Sequence, residues 1–326
     1  MISSSQSAQS ALAHLVGVCL LSCSIATGSL DKGFTIQKLE GPLRIFPSLD
    51  GETKVDYILS RLSKEELEDA ALASYEYLRL KVPTGIDRIH HARKIARKYL
   101  NSKKELEKTI KKLKETLKFR RELDIVGLMT AFEPNTRNNY SMKLYKQLSC
   151  KKLYVQGYDR KGRSTLFFIP RLVKGHDSEW TVKEAIYSIE RAIACTKSKD
   201  GLINAIVDFA GCSITKHSPP IDIAKDFLTT LRNHYAGQIH RIYIIDTPPA
   251  FSIFWNIVKP FVGSQTREKI QFLSGKGKII LKNSYSVDEA PSWMIPGGKK
   301  NRSLDLDSYL LDTPFHEAFD EEKKLP

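Results

Sequence analysis

The side chains that could do chemistry in this chain are few, and none is set in a catalytic pattern. Asp208 and Asp246 each close an apolar run that reads as a strand, the place where α/β enzymes often hold acids and bases. Neither has a nucleophile or metal partner in a legible motif beside it, so both read as structural caps. The chain has no GxSxG elbow, no HExxH and no Walker loop, and Gly275-Lys276-Gly277 is too short to count as a phosphate loop. His90-His91 is an adjacent pair whose side chains diverge on a helix, a poor metal site. Of five cysteines, Cys19 and Cys23 lie in an N-terminal apolar stretch, which leaves Cys150, Cys195 and Cys212 without a CxxC or zinc spacing. They read as reduced and structural. The expectation is a chain with no catalytic residue, no metal and no cofactor.

The stretch that stands out is instead apolar. Ala250-Phe251-Ser252-Ile253-Phe254-Trp255-Asn256-Ile257-Val258-Lys259-Pro260-Phe261 is oily on nearly every side of a helix. A helix with no solvent face sits in a core, in a membrane or against an apolar ligand, and this one is too short to span a bilayer.

The elements that must position it follow from periodicity. Leu202 to Phe209 and Arg241 to Asp246 are near-continuous apolar strands around a helix from Ile221 to Tyr235, which makes a βαβ unit with a parallel pair. Ahead of it, Lys152 to Val155 and Thr165 to Ile169 flank the turn residues Asp159-Arg160-Lys161-Gly162-Arg163, and Thr181 to Cys195 is helical. A helix beginning near Thr266 precedes a strand at Lys278 to Leu281. The expected domain is α/β, a mixed sheet with helices packed on it, starting near Cys150.

The N-terminal third reads as a small all-helical module over 61–125. Ser63-Lys64-Glu65-Glu66 is a capping box with Leu62 and Leu67 as its staple, opening a helix to about Lys81 before Pro83. A second helix covers Asp87 to Leu100. Ser102-Lys103-Lys104-Glu105 forms another capping box ahead of Leu106, Ile110, Leu113 and Leu117 on one face. Residues 31–60, with Gly33, Gly41, Pro42, Pro47 and Gly51, read as an irregular lead-in.

Charge narrows the partners only to anions. The 326 residues carry a formal charge of +14, and Ile86 to Arg121 holds fourteen Lys or Arg against four acids. That excess fits a solvated helix face as well as an anionic surface. Nucleic acid is not expected, because no recognised binding motif or aromatic stacking platform accompanies the charge. Residues 1–30 carry no charged side chain, and Leu12 to Ile25 has the length of a signal-peptide h-region. Against a leader stand the absent basic n-region and the breaks at His14, Ser22 and Ser24. A secretory or organellar leader and a cytoplasmic, peripherally membrane-associated chain both remain open.

The ordered set Gly-Tyr-Asp-Arg-Lys-Gly-Arg (157–163), Ile-Val-Asp-Phe-Ala-Gly (206–211), Tyr-Ile-Ile-Asp-Thr-Pro (243–248), Phe254-Trp255 with Val258-Lys259-Pro260-Phe261, Thr266 with Lys269-Ile270, and Pro296-Gly297-Gly298 resembles the CRAL-TRIO lipid-binding family. That family includes phosphatidylinositol-transfer proteins. The resemblance implies a lipid-binding domain over 150–298, a tail over 299–326 and a carrier rather than an enzyme. Its sheet would floor a hydrophobic cavity and the 250–258 helix would gate it. Phe251, Phe254, Trp255, Ile257 and Val258 are then wall and lid, against the plainer reading that they are core. Such a cavity has work to do: at about 0.8 kcal/mol per methylene, a lipid with about 30 methylenes needs roughly 24 kcal/mol of shelter from water.

By the same resemblance the phosphatidylinositol headgroup falls to Lys103-Lys104 and to Thr266 with Lys269. Residues three apart share a helix face, so Thr266 and Lys269 can address one ligand. Lys103 and Lys104 at a helix start oppose the dipole unless an anion docks there. The positions with which some relatives hold phosphatidylcholine are Ile203 and Ala205 here, both unable to bond a phosphate. Choline lipid is not expected as a second cargo, though a second hydrophobic ligand is. The alternative cargo is a neutral hydrophobe such as a tocopherol, retinoid or sterol, with an anionic membrane as the docking partner in either case. Asp246 stands where many relatives have Asn, a change the sequence does not explain.

Overall fold

The computed structural model describes residues 50–315 apart from 81, 101–104, 134–139, 174–177, 214–228, 231, 236, 250, 260–261, 263 and 301–303. The chain divides into two compact units that meet in sequence at Leu123 and Asp124.

The helical unit starts earlier than the glycines and prolines suggest. Asp50 caps α1 (Gly51–Ser60) by accepting from the Thr53 N–H at 2.8 Å, and Val55, Ile58 and Leu59 turn inward. The tail of the expected lead-in is therefore helix. The Ser63 capping box forms as read: Ser63 Oγ accepts from the Glu66 N–H at 3.1 Å and Glu66 Oε2 from the Ser63 N–H at 2.8 Å, opening α2 (Lys64–Leu72). Ser63→Ala should cost about 1 kcal/mol, read as a lower urea midpoint with unchanged slope.

The helix expected to continue to Lys81 breaks at Ser74, whose backbone is extended, and resumes as α3 (Tyr75–Leu78). Ser74 Oγ lies 3.0 Å from Nδ1 of the buried His91. His91 is thereby a core histidine, its pKa lowered by burial first of all. Thr84 and Asp87 form a second capping box for α4 (Gly85–Tyr99), two residues before the expected start. The next helix, α5 (Leu106–Glu122), begins with Glu105 as its N-cap, so Glu105 is not the third helical residue of a Ser102 box. Ile110, Leu113 and Leu117 face Val55, Ile58, Ala92 and Ile95 in one core.

The basic excess of Ile86 to Arg121 is extensively paired inside this unit. Arg97 holds Glu52 at 2.8 Å through Nε, Arg93 holds Glu52 and Asp56, Lys94 holds Glu76, Lys114 holds Glu66 at 2.9 Å, and Arg121 holds Glu65 and Asp69. Acidic α1 to α3 face basic α4 and α5. These exposed pairs contribute little each, but they match much of the basic excess with acids of the same unit.

The second unit opens with α6 (Ile125–Met129) and α7 (Tyr140–Leu148) and holds a five-stranded sheet in the order β1-β2-β3-β4-β5. Its strands are β1 (Leu153–Tyr158), β2 (Ser164–Phe168), β3 (Ile203–Asp208), β4 (Ile239–Ile245) and β5 (Ile270–Leu273). The first pair is antiparallel and the rest are parallel, with α8 (Ser178–Cys195) between β2 and β3. Most of the helix expected from Ile221 lies outside the described residues. The last strand is not Lys278 to Leu281, which falls in a 3₁₀ turn, Gly275–Ile280, and the start of α11 (Leu281–Ser284). Ile270 to Leu273 takes the edge because it continues directly from the turn that follows Thr266, in register with Ile242 to Ile245.

The Asp159-to-Arg163 turn is built around one buried carboxylate. Asp159 accepts from the backbone N–H groups of Lys161 and Arg163 at 2.8 and 2.9 Å, from Arg163 Nη1 at 3.2 Å and from Asn204 Nδ2 at 2.9 Å. Gly157 precedes it at φ +70°, and a Cβ there would lie 2.3 Å from the Glu289 carbonyl, so this position admits only glycine.

Candidate functional site

Because side chains alternate along a strand, the register sorts the sheet into two unlike faces. One carries the row Leu153, Phe168, Val207, Ile244 and Phe272, and beside it the row Val155, Leu166, Ala205, Ile242 and Ile270. Neither row contains a polar side chain. The other face carries Thr165, Asn204, Arg241 and Gln271 among Tyr154, Phe167, Ile206 and Tyr243. That mixed face is closed by the segment after β5. Tyr285 bonds Thr165 at 3.1 Å and meets the Tyr243 ring, and Trp293 meets Phe167 at 5.6 Å.

Over the all-apolar face at its β5 edge lies α9 (Phe251–Val258). Phe251 is buried and packs edge-on to Phe209 at 4.9 Å and to Phe272 at 5.8 Å; Trp255 packs on Phe272 at 5.2 Å. Trp255 is half-buried and Phe272 remains 45 % exposed, so the seam between helix and sheet edge opens to solvent. The expectation of a helix without a solvent face is corrected here. Ser252 and Asn256, four apart, are exposed and give it a narrow polar stripe. The side chains of Phe254, Ile257 and Val258 lie outside the described residues. Ile203 and Ala205 are fully buried in β3, Ala205 within the apolar row and Ile203 paired with Ile239.

Thr266 and Lys269 are brought together by a turn rather than by one helix face. Helix α10 (Ser264–Arg267) ends before Lys269, whose backbone N–H donates to the Thr266 carbonyl at 3.0 Å. Thr266 is buried, and Lys269 Nζ donates to the Ile239 carbonyl at 2.6 Å. Two more cations frame the turn: Arg241 donates to the Glu268 carbonyl and Arg267 to the Lys259 carbonyl, each at 3.2 Å. Three positive side chains thus gather at the start of β5 on backbone acceptors. An ammonium has three donors, so it can serve more than one acceptor at a time. Lys103 and Lys104, the other basic pair, lie outside the described residues.

The two strand-end acids take structural roles. Asp208 Oδ2 pairs with Arg171 at 3.0 Å and Oδ1 accepts from the Ala210 N–H at 3.0 Å. Asp246 sits at φ +52° and pairs with Lys278 at 2.8 Å. The left-handed conformation suits Asn and Asp alike, and the ion pair gives a reason for the charged one. Burial pushes the Cys212 thiol up to about 11, away from nucleophile or ligand use. Among the described residues no group of His, Cys, Asp or Glu could hold a metal ion.

Sequence reading missed Phe209, Phe272, Arg241 and Arg267. The alternation of Ile270-Gln271-Phe272-Leu273 signals a strand with Phe272 on the apolar side, a signal that the helical reading from Thr266 onward overrides. The two arginines carry no motif, and only the fold collects them.

Comparison with known proteins agrees with this geometry. A family model described as the CRAL/TRIO domain matches residues 148–292. A CRAL-TRIO domain-containing protein of Schizosaccharomyces pombe is 23% identical over 199 residues, 61% of this chain and 19% of that protein. Phosphatidylinositol transfer protein PDR17 of Saccharomyces cerevisiae is 26% identical over 167 residues, 50% of this chain and 47% of its own length. The chain thus spans less than half of either relative. The crystal structure of Sfh5 shares the fold at TM-score 0.53 and 15% identity, covering 72% of this chain and 83% of that one. With its five-stranded mixed sheet and the helix over its apolar face, residues 148–292 of this chain are a CRAL/TRIO domain.

Proposed function

We propose that this chain binds phosphatidylinositol between α9 and the apolar sheet face and exchanges it at membrane surfaces without catalysing a reaction. Lipid binding and transfer is the function class of the CRAL/TRIO domain, and the inositol lipid is the finer reading. The observation that carries it is the pair of five-residue apolar rows, over whose β5 end α9 lies. Acyl chains suit such a surface, while a phosphate needs charged donors, which Lys269, Arg241 and Arg267 supply at the start of β5 beside the neutral Thr266 hydroxyl. In this reading α9 is the gate: Phe251, Phe254, Trp255, Ile257 and Val258 line it, Ile203 and Ala205 belong to the cavity wall, and Lys103-Lys104 is the second grip on the headgroup.

Two of the similar proteins are named phosphatidylinositol transfer proteins, which favours the same cargo. The helical module over 61–125, the lipid domain over 150–298 and a tail over 299–326 complete the proposal. Peripheral attachment fits the absence, among the described residues, of a helix long and apolar enough to cross a membrane.

Mass spectrometry of lipids that co-purify with the full chain tests the cargo. Phosphatidylinositol is the expected species; tocopherols, retinoids or sterols alone would replace the headgroup assignment with a neutral hydrophobe.

A further inference from the structure

The 3₁₀ turn Gly275–Ile280 leaves the sheet edge with Ile279 53 % and Ile280 44 % exposed, two adjacent branched aliphatics that face water. Residues i and i+3 of a 3₁₀ helix lie in line, so Lys276 stands on the same side as Ile279. From Lys269 to Val287 the chain carries four lysines and no acid. Lys278 is committed to Asp246 and to the Trp293 carbonyl at 3.3 Å. Lys276 and Lys282 are exposed.

The hairpin turn adds two more cations. The Arg160 N–H donates to the Ser284 carbonyl at 2.7 Å and its guanidinium to the Lys282 carbonyl at 3.3 Å, which fixes the exposed Arg160-Lys161 step beside this segment. Among the described residues none of Lys276, Lys282, Arg160 and Lys161 forms an ion pair, whereas the nearby acids are engaged. Asp246 is with Lys278, Asp159 with Arg163, Glu289 with Lys300 and Asp288 with Lys299.

We infer that Gly275–Ile280, with Lys282, Arg160 and Lys161 around it, is a docking surface for an anionic lipid bilayer. Exposed aliphatics ringed by uncompensated cations match an acyl boundary beneath anionic headgroups. Lys278 also ties this turn to Asp246, five residues before α9, so the docking surface and the lead into the gate are joined by one ion pair. On the proposed exchange function, this is the surface at which cargo would pass to and from the bilayer.

The test is co-sedimentation of the full chain with phosphatidylcholine vesicles, with and without phosphatidylserine. Wild type is expected to bind the anionic vesicles and to be released by salt. Each cation near a charged surface is worth about fivefold in affinity, so Lys276→Glu with Lys282→Glu should weaken binding about 25-fold or more. Ile279→Asp with Ile280→Asp should weaken it comparably. All four positions are exposed, so thermal unfolding should not move, and co-purified lipid should be unchanged. Binding of either double variant at wild-type strength overturns the inference. So does an oligomer in sedimentation equilibrium that the isoleucine variant dissolves while vesicle binding persists. Vesicle binding by a wild type that carries no inositol lipid would overturn the proposed cargo and leave the docking surface standing.

Discussion

Lys269→Ala lowers phosphatidylinositol transfer between vesicles by roughly 10- to 150-fold, the equivalent of about 1.5–3 kcal/mol for one charge-assisted hydrogen bond to a phosphate. In the present structure the ammonium bonds the Ile239 carbonyl at 2.6 Å, so the alanine variant also leaves that carbonyl without its side-chain donor. Lys269→Gln separates the two effects, since an amide supplies a donor but no charge. If the cation grips the headgroup, both variants lose transfer and only the alanine loses stability. Thr266→Val should add a smaller loss, about 0.5–1.5 kcal/mol for a neutral hydrogen bond, because its hydroxyl is buried beside the same turn. Wild-type transfer by a folded Lys269→Gln would remove the headgroup from this end of β5.

Asp159→Ala should be the most damaging single change for stability, about 3–5 kcal/mol in chemical unfolding. The side chain is buried and accepts four hydrogen bonds, two of which close its own turn while one reaches Asn204 on β3. Its loss strands Arg163, itself buried, although Asp200 still holds that guanidinium through Nε at 3.0 Å and pulls the cost toward about 3 kcal/mol. Asp200→Ala should cost much less, because that carboxylate is partly exposed and screened. Hydrogen bonding to Arg163 holds the Asp200 carboxyl well below the ordinary aspartate range. A pKa depressed in the folded state contributes stability that is present above the unfolded value and lost as pH falls through the folded one. Acid should therefore unfold wild type over a window that Asp200→Ala narrows. An unchanged urea midpoint for Asp159→Ala would show that the turn is held by other means.

Much of this architecture was legible because it rests on short-range rules. The Ser63 box, the β1–β2 hairpin and the parallel β3–β4 pair each follow from residues a few positions apart or from an unbroken apolar run. The breaks came where a distant partner decided the local state. Ser74 turns extended where its neighbours would continue the helix, and its hydroxyl meets His91, seventeen residues on. Ile270 to Leu273 is too short for its pattern to outweigh the helical reading of Thr266 onward, and only pairing with β4 makes it a strand. The basic run Ile86 to Arg121 could not be told from a binding surface until α1 to α3 supplied its counter-charges.

For the site the division is similar. Composition and order alone determined that the chain carries no catalytic or metal motif, that an apolar helix follows the fourth strand, and that a threonine and a lysine follow that helix. Those are properties of residue type and sequence distance, which a chain displays whether folded or not. Only the tertiary structure decided that two all-apolar rows run across one face of the sheet, that Phe272 receives Phe251 and Trp255, and that Arg241 and Arg267 join Lys269. Strand register sets all three, and register depends on which segments pair across the sheet rather than on any local pattern. The charge of Asp246 belongs with them, since its partner Lys278 is thirty-two residues away in sequence.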